Sequence, residues 1–211
     1  AQVGGGFYVT NGSLDFSGGA FISNTATFGG GLYNDGATAF IANGIVVHNT
    51  ASNHGGGLYS TGSVISMTNI ALGDNAAAVG AGLYLNSGTA TLLHLSFYAN
   101  TATGNGGGVY QNGGTSILRS SIFESNTATS GPAIFRNAGT LTVDYNYYYN
   151  HASTPVVGTT AGANSVTTNS VPPGMVDPAN DDFHLLDDAA ALDIADPNSP
   201  ITYDLELDPR P

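Results

Sequence analysis

Ten of the fifteen carboxylates of this chain crowd into residues 176–211, and an ion is the chemistry that such a crowd suggests first. Asp177, Asp181, Asp182, Asp187, Asp188, Asp193 and Asp196 supply hard oxygen ligands, which suit calcium rather than a transition metal. A solvated acidic cap is the competing and favoured reading, because no EF-hand or nonapeptide-repeat spacing is present. The other carboxylates, Asp15, Asp35, Asp74, Glu124 and Asp144, are scattered singly. Glycoside hydrolysis needs carboxylates converging on one groove, and a lyase needs carboxylate-bound calcium plus a basic side chain. Arg119 and Arg136 have no accompanying column of acids. A polysaccharide lyase or hydrolase is therefore an alternative that rests on analogy of architecture alone.

His48, His54, His94, His151 and His184 show no metal-ligand spacing and are expected in surface turns. The chain has no cysteine, which excludes disulfides, thiolate zinc sites and cysteine nucleophiles. Pairs such as Thr25/Thr27, Thr50/Ser52, Thr101/Thr103 and Thr127/Thr129 resemble the rows of ice-binding solenoids. They fall in the one segment whose length varies, and Ala76/Ala78 interrupts them, so an ice-binding solenoid is the weaker alternative.

Charge narrows the partners. Of the net −12, residues 1–175 carry −3 and residues 176–211 carry −9, and only three side chains are cationic. Phosphate backbones and polyanions are thus poor ligands, and nucleic acid is excluded as a partner. No apolar run reaches the length of a membrane span. Ala1 is not an initiator methionine, so either a signal peptide has been removed or upstream sequence is missing; the first is the preferred expectation and would place the protein outside the cell.

These residues must be positioned by a repeat. Gly4–Tyr8 reads Gly-Gly-Gly-Phe-Tyr and returns at Gly29–Tyr33, Gly55–Tyr59, Gly80–Tyr84 and Gly106–Tyr110, then loosely at Gly131–Phe135. The intervals are 25 or 26 residues. A second signature falls at Asn24, Asn49, Asn75, Asn100, Asn126 and Asn150. Each glycine signature precedes its asparagine by 20 residues in the first five repeats and by 19 in the last. The one-residue variation therefore lies after each asparagine, where a surface turn is expected.

Apolar residues hold fixed offsets: Phe21, Val46, Leu72, Phe97, Phe123 and Tyr147 stand three before the asparagine. Phe16, Ile41, Met67, Leu92, Leu118 and Thr142 stand eight before it. Local alternation is that of strands, so the fold class is all-β. About 25 residues with three short strands close one turn of a single-stranded right-handed parallel β-helix. Six coils stacked at ~4.8 Å make a rod of roughly 29 Å. Phe7, Leu32, Leu58, Leu83, Val109 and Ile134 then form an interior ladder. Tyr8, Tyr33, Tyr59, Tyr84, Tyr110 and Phe135 form an external aromatic one. The asparagines satisfy backbone groups where the chain bends.

The pairing of Gly-Gly-Gly-Leu-Tyr with Phe97-Tyr98-Ala99-Asn100 or Phe123-Glu124-Ser125-Asn126 resembles the polymorphic outer-membrane protein family of adhesins. The resemblance spans about residues 4–153 and implies a surface β-helix with cell-surface or glycan ligands. Asp177–Leu185, Ala189–Asp193 and Asp208–Pro211 are similar to the ending of choice-of-anchor bacterial surface proteins, which implies that an anchoring tail follows.

The expectation is a repeat domain at 1–153 and an acidic cap or strand-exchanging tail at 154–211. In that tail Val156-Val157, Tyr203 and Leu205-Glu206-Leu207 are placed to cover or donate a strand edge. Open edges recruit other chains. The expected function is non-enzymatic, structural or adhesive, with copies stacked head to tail in a filament.

Overall fold

The computed structural model describes residues 2–201, the side chain of Asp193 excepted. It is an all-β parallel solenoid of about six turns. Among the described residues every inter-coil pairing is parallel, and within the six repeats it joins residues one period apart: Leu32 lies beside Leu58, Leu58 beside Leu83, Leu83 beside Val109 and Val109 beside Ile134. These five side chains are fully buried. Two further columns complete the core. One runs Phe21, Val46, Leu72, Phe97 and Phe123, and the other runs Phe16, Ile41, Met67, Leu92 and Leu118. Phe97 and Phe123 stack with their rings 4.6 Å apart.

Four pairing stretches, rather than the three expected, make up a coil. In the fourth coil they are Leu83–Leu85, the two limbs of Gly88–Tyr98 on either side of His94, and Thr101–Ala102. The extra one is the segment after each asparagine. It is a short strand rather than a turn: Thr25–Phe28, Thr50–His54, Ala76–Ala77 and Thr101–Ala102 form their own four-stranded sheet. Small residues explain it, since Ala26, Ala51, Ala77 and Ala102 point inward and let the backbone approach the core closely. The variable residue is absorbed there as a register shift between Ala26 and Phe28.

The bends need left-handed backbone. Ser23, His48, Asp74, Ala99, Ser125 and Asn150 all have φ of 50–58°, as do Asn43, Asn69, His94, Ser120 and Tyr145 at 53–54°. Each is a single αL residue between strand limbs, so the chain turns a corner without losing its neighbours' hydrogen bonds. This is how Leu32–Val47 can be one 16-residue strand that nonetheless bends.

The stack continues past residue 153. Val156–Val157 pairs with Ile134 and Phe135, and Val166–Thr168 pairs with Tyr147–Tyr149, which makes a seventh, partial coil. The described part of the chain then forms a strap along the flank. Met175–Asp177 and Asp182–Leu185 make an antiparallel pair around the 3₁₀ turn Pro178–Asn180. Phe183 buries its ring against Val47, Ala71 and Met175 and meets Tyr98 edge-on at 6.3 Å. Gly73 makes room for it: a β-carbon there would stand 2.7 Å from the Phe183 ring. Farther along, Arg119 Nη1 donates to Asp196 at 3.1 Å and His94 contacts the Ser199 hydroxyl at 2.6 Å. Tyr203 and Leu205–Leu207, expected to cover an edge, lie outside the described residues, as does Asp208–Pro211.

Candidate functional site

The asparagine column is the most regular polar feature. The backbone N–H and the side-chain Nδ2 of Asn24 both donate to Asn49 Oδ1, and the pattern repeats from Asn49 to Asn75, Asn75 to Asn100 and Asn100 to Asn126 at 2.9–3.1 Å. Each Nδ2 also reaches back to a carbonyl one coil earlier: Asn49 to Phe21, Asn75 to Val46, Asn100 to Leu72 and Asn126 to Phe97, at 2.8–2.9 Å. This explains the Phe-x-x-Asn spacing. The apolar residue fills the core while its carbonyl accepts from the next asparagine, so a buried corner keeps its polar groups paired.

Asn150 is not part of that column. Phe123 pairs with Tyr148, not Tyr147, so the position beneath Asn126 belongs to His151. Its buried ring places Nδ1 3.2 Å from the Asn126 carbonyl, and its own N–H donates to Asn169 Oδ1 at 3.4 Å. Asn150 takes the αL corner instead and donates to Ser125 Oγ. The same one-residue offset puts Val143, not Thr142, beside Leu118. The single 19-residue interval in the sequence was the signal, since an interval of 20 from Gly131 ends on His151. His151 and His94 are buried, contrary to the expectation of surface turns. Burial lowers the His151 pKa, although nearby backbone acceptors oppose the shift.

Two more polar ladders were missed. Asn137 donates to Asn112 Oδ1 and Asn112 to Asn86 Oδ1, at 3.0 and 2.9 Å. The N–H of Leu95 donates to Ser121, that of Ser121 to Asn146, and that of Asn146 to Ser165. The 26- and 25-residue spacing of Asn86, Asn112 and Asn137 carried that information.

The tyrosine column stacks with ring centroids 4.7, 5.0 and 5.1 Å apart from Tyr33 through Tyr59 and Tyr84 to Tyr110, and Phe135 follows at 5.4 Å. Tyr8 is 44% exposed and Tyr33, Tyr110 and Phe135 are half-buried, but Tyr59 and Tyr84 are only 9% and 6% exposed, so the middle of the ladder is covered rather than external. The cover comes from the post-asparagine strand, whose His54 lies 4.6 Å from Tyr84 and whose counterpart Phe28 lies 5.8 Å from Tyr59. Burial pushes the Tyr84 phenol up to about 12. Ring faces that stack on one another are not offered to a sugar, so this column is a structural element.

Among the described residues the acids of the C-terminal segment do not gather with one another into a group of ligand atoms. Asp177 accepts from Asn180, Asp182 from His184, and Asp196 from Arg119, while Asp187 and Asp188 are exposed. Asp193 falls outside the residues whose side chains are described. Among the described residues of the segment, Asp181 joins a group of ligand atoms, and its companions come from the coils. His48, Asp74 and Asp181 each bring one such atom to within 4.8 Å of the others. His48 Nε2 lies 3.1 Å from Asp181 Oδ2. Burial first, and the Asp181 charge after it, raise the Asp74 pKa, while His48 opposes them.

The coil carboxylates Asp15, Asp35, Asp144 and Glu124 stand on different strands. At the last coils a cavity of about 190 Å³ is lined by Tyr148, His151, Pro155, Thr168 and Asn169 among others. Among the described residues no helix is long and apolar enough to cross a membrane. Compared with models of protein families, with curated proteins and with solved structures, the chain matches none.

Proposed function

We propose that this chain is a non-enzymatic extracellular scaffold of a bacterial-type cell surface, structural or adhesive, whose copies stack head to tail into a fibre or stalk. The observation that carries this reading is the uniform stack: the same parallel strand pairing and the same asparagine bonds join each described coil to the next. Phe7, Tyr8 and Ile22 of the first coil lie in register with Leu32, Tyr33 and Val47 of the second. A coil built to pair with its like is a template for a further one, and a contact between unlike ends of one molecule is open-ended. The likeness of the repeat to polymorphic outer-membrane adhesins and choice-of-anchor surface proteins supports the setting and ligands of the glycan class.

Sedimentation and electron microscopy of the purified chain over a concentration series test the reading. Rods that lengthen with concentration, and that shorten to single units in Phe7→Asp, are the expected result. A strictly monomeric rod at the highest concentration would sink it.

A further inference from the structure

We propose that His48, Asp74 and Asp181 form a binding site for a divalent cation of the zinc type, which fastens the C-terminal strap to the second and third coils. The residues come from three separate places. His48 and Asp74 are successive members of one αL corner column, and Asp181 closes the 3₁₀ turn of the strap. Their convergence therefore depends on the strap being docked. One imidazole nitrogen and two carboxylate oxygens are a borderline ligand set, suited to zinc and its neighbours and not to calcium or magnesium, which take oxygen alone.

Spacing agrees with this chemistry. Metal–ligand bonds of about 2.0–2.1 Å in a tetrahedron put the ligand atoms roughly 3.3 Å apart. His48 Nε2 and Asp181 Oδ2 stand 3.1 Å apart, and all three ligand atoms lie within 4.8 Å of one another. A small adjustment of Asp74 closes the set, with water at the fourth position.

Two observations point to a missing positive charge. Asp181 Oδ1 is buried without a hydrogen-bond partner, an arrangement that a bound cation relieves. Charge compensation by the chain itself is scarce. It has no lysine, and of its three arginines Arg119 is held by Asp196, Arg136 donates to the carbonyls of Gly139 and Gly158, and Arg210 lies outside the described residues. Two carboxylates this close repel one another unless a positive charge joins them.

The test uses the full chain stripped with chelator and titrated by calorimetry with zinc, calcium and magnesium. The variants are His48→Asn, Asp74→Asn and Asp181→Asn, because asparagine tolerates the αL conformation that each position requires. One equivalent of zinc is expected to bind, at least tenfold more weakly in each variant, and to slow proteolysis within 175–201 of the wild type only. On the unmodified chain, the His48 ring resonances are the ones expected to shift with zinc, which keeps the test independent of how the variants fold. The proposal is overturned by absence of saturable zinc binding, by undiminished binding in His48→Asn, or by zinc shifts confined to other histidines. Calcium binding as tight as zinc would also overturn it, as would strap protection that is the same with and without metal.

Discussion

The first coil and the central coils carry the same signature in the same register, yet they keep it in different surroundings. Phe7 aligns with Leu32 and Leu58 along one column, but Phe7 is 43% exposed and the other two are fully buried. Asn24 donates twice to Asn49, whereas Asn100 donates to Asn126 and to the Leu72 carbonyl and also accepts twice from Asn75. In a solenoid a residue's environment is supplied by the coils above and below, so an identical motif contributes unequally according to its place in the stack.

Core truncation should separate the two regions most. Phe97→Ala is expected to cost about 3–5 kcal/mol in chemical denaturation, because a fully buried ring between stacked neighbours leaves a cavity. Phe7→Ala should cost under about 1 kcal/mol. Equal losses would show that the first coil is covered in solution, which would itself favour head-to-tail stacking.

The polar ladder should show a smaller contrast of the same sign. Asn100→Ala removes two donated and two accepted bonds inside the core and is expected to cost roughly 3 kcal/mol, against about 1 kcal/mol for Asn24→Ala.

The smallest effect concerns the far end, where His151 stands in the asparagine column. Burial holds its pKa below the ordinary 6.5, so the folded chain favours the neutral ring. Unfolding then takes up a proton between the folded value and 6.5. The stabilisation is present above about 6.5 and is lost as pH falls toward the folded pKa. His151→Asn should change stability by no more than about 1 kcal/mol at pH 7.5 and flatten the acid slope below 6.5 in thermal melts. An unchanged slope would place the acid sensitivity elsewhere.

Much of this fold was legible because a stacked repeat writes its contacts into a single period. Leu58, Leu83 and Val109 touch because they are one coil apart, and the interval itself states the register. Legibility failed where a neighbour outside the period intervened. Tyr59 and Tyr84 alternate with buried residues and so read as outward, but His54 and Phe28 fold over them. The small alanines after each asparagine gave little apolar signal, so a sheet read as a turn. Asn150 satisfied the motif by type while His151 satisfied it by position, and hydrogen-bond register outranks residue type.

The cation site was less visible still. Asp181 was singled out as one of many acids, but its companions His48 and Asp74 lie 133 and 107 positions away in the chain. That proximity is created by Phe183 docking beside Gly73. The amino-acid sequence by itself determined the parallel stack, its period and its interior columns, because those follow from like residues meeting like at a constant spacing. Only the tertiary structure decided where the strap lies, which tyrosines are covered and which three side chains converge. Those depend on aperiodic contacts, whose geometry no repeat interval encodes.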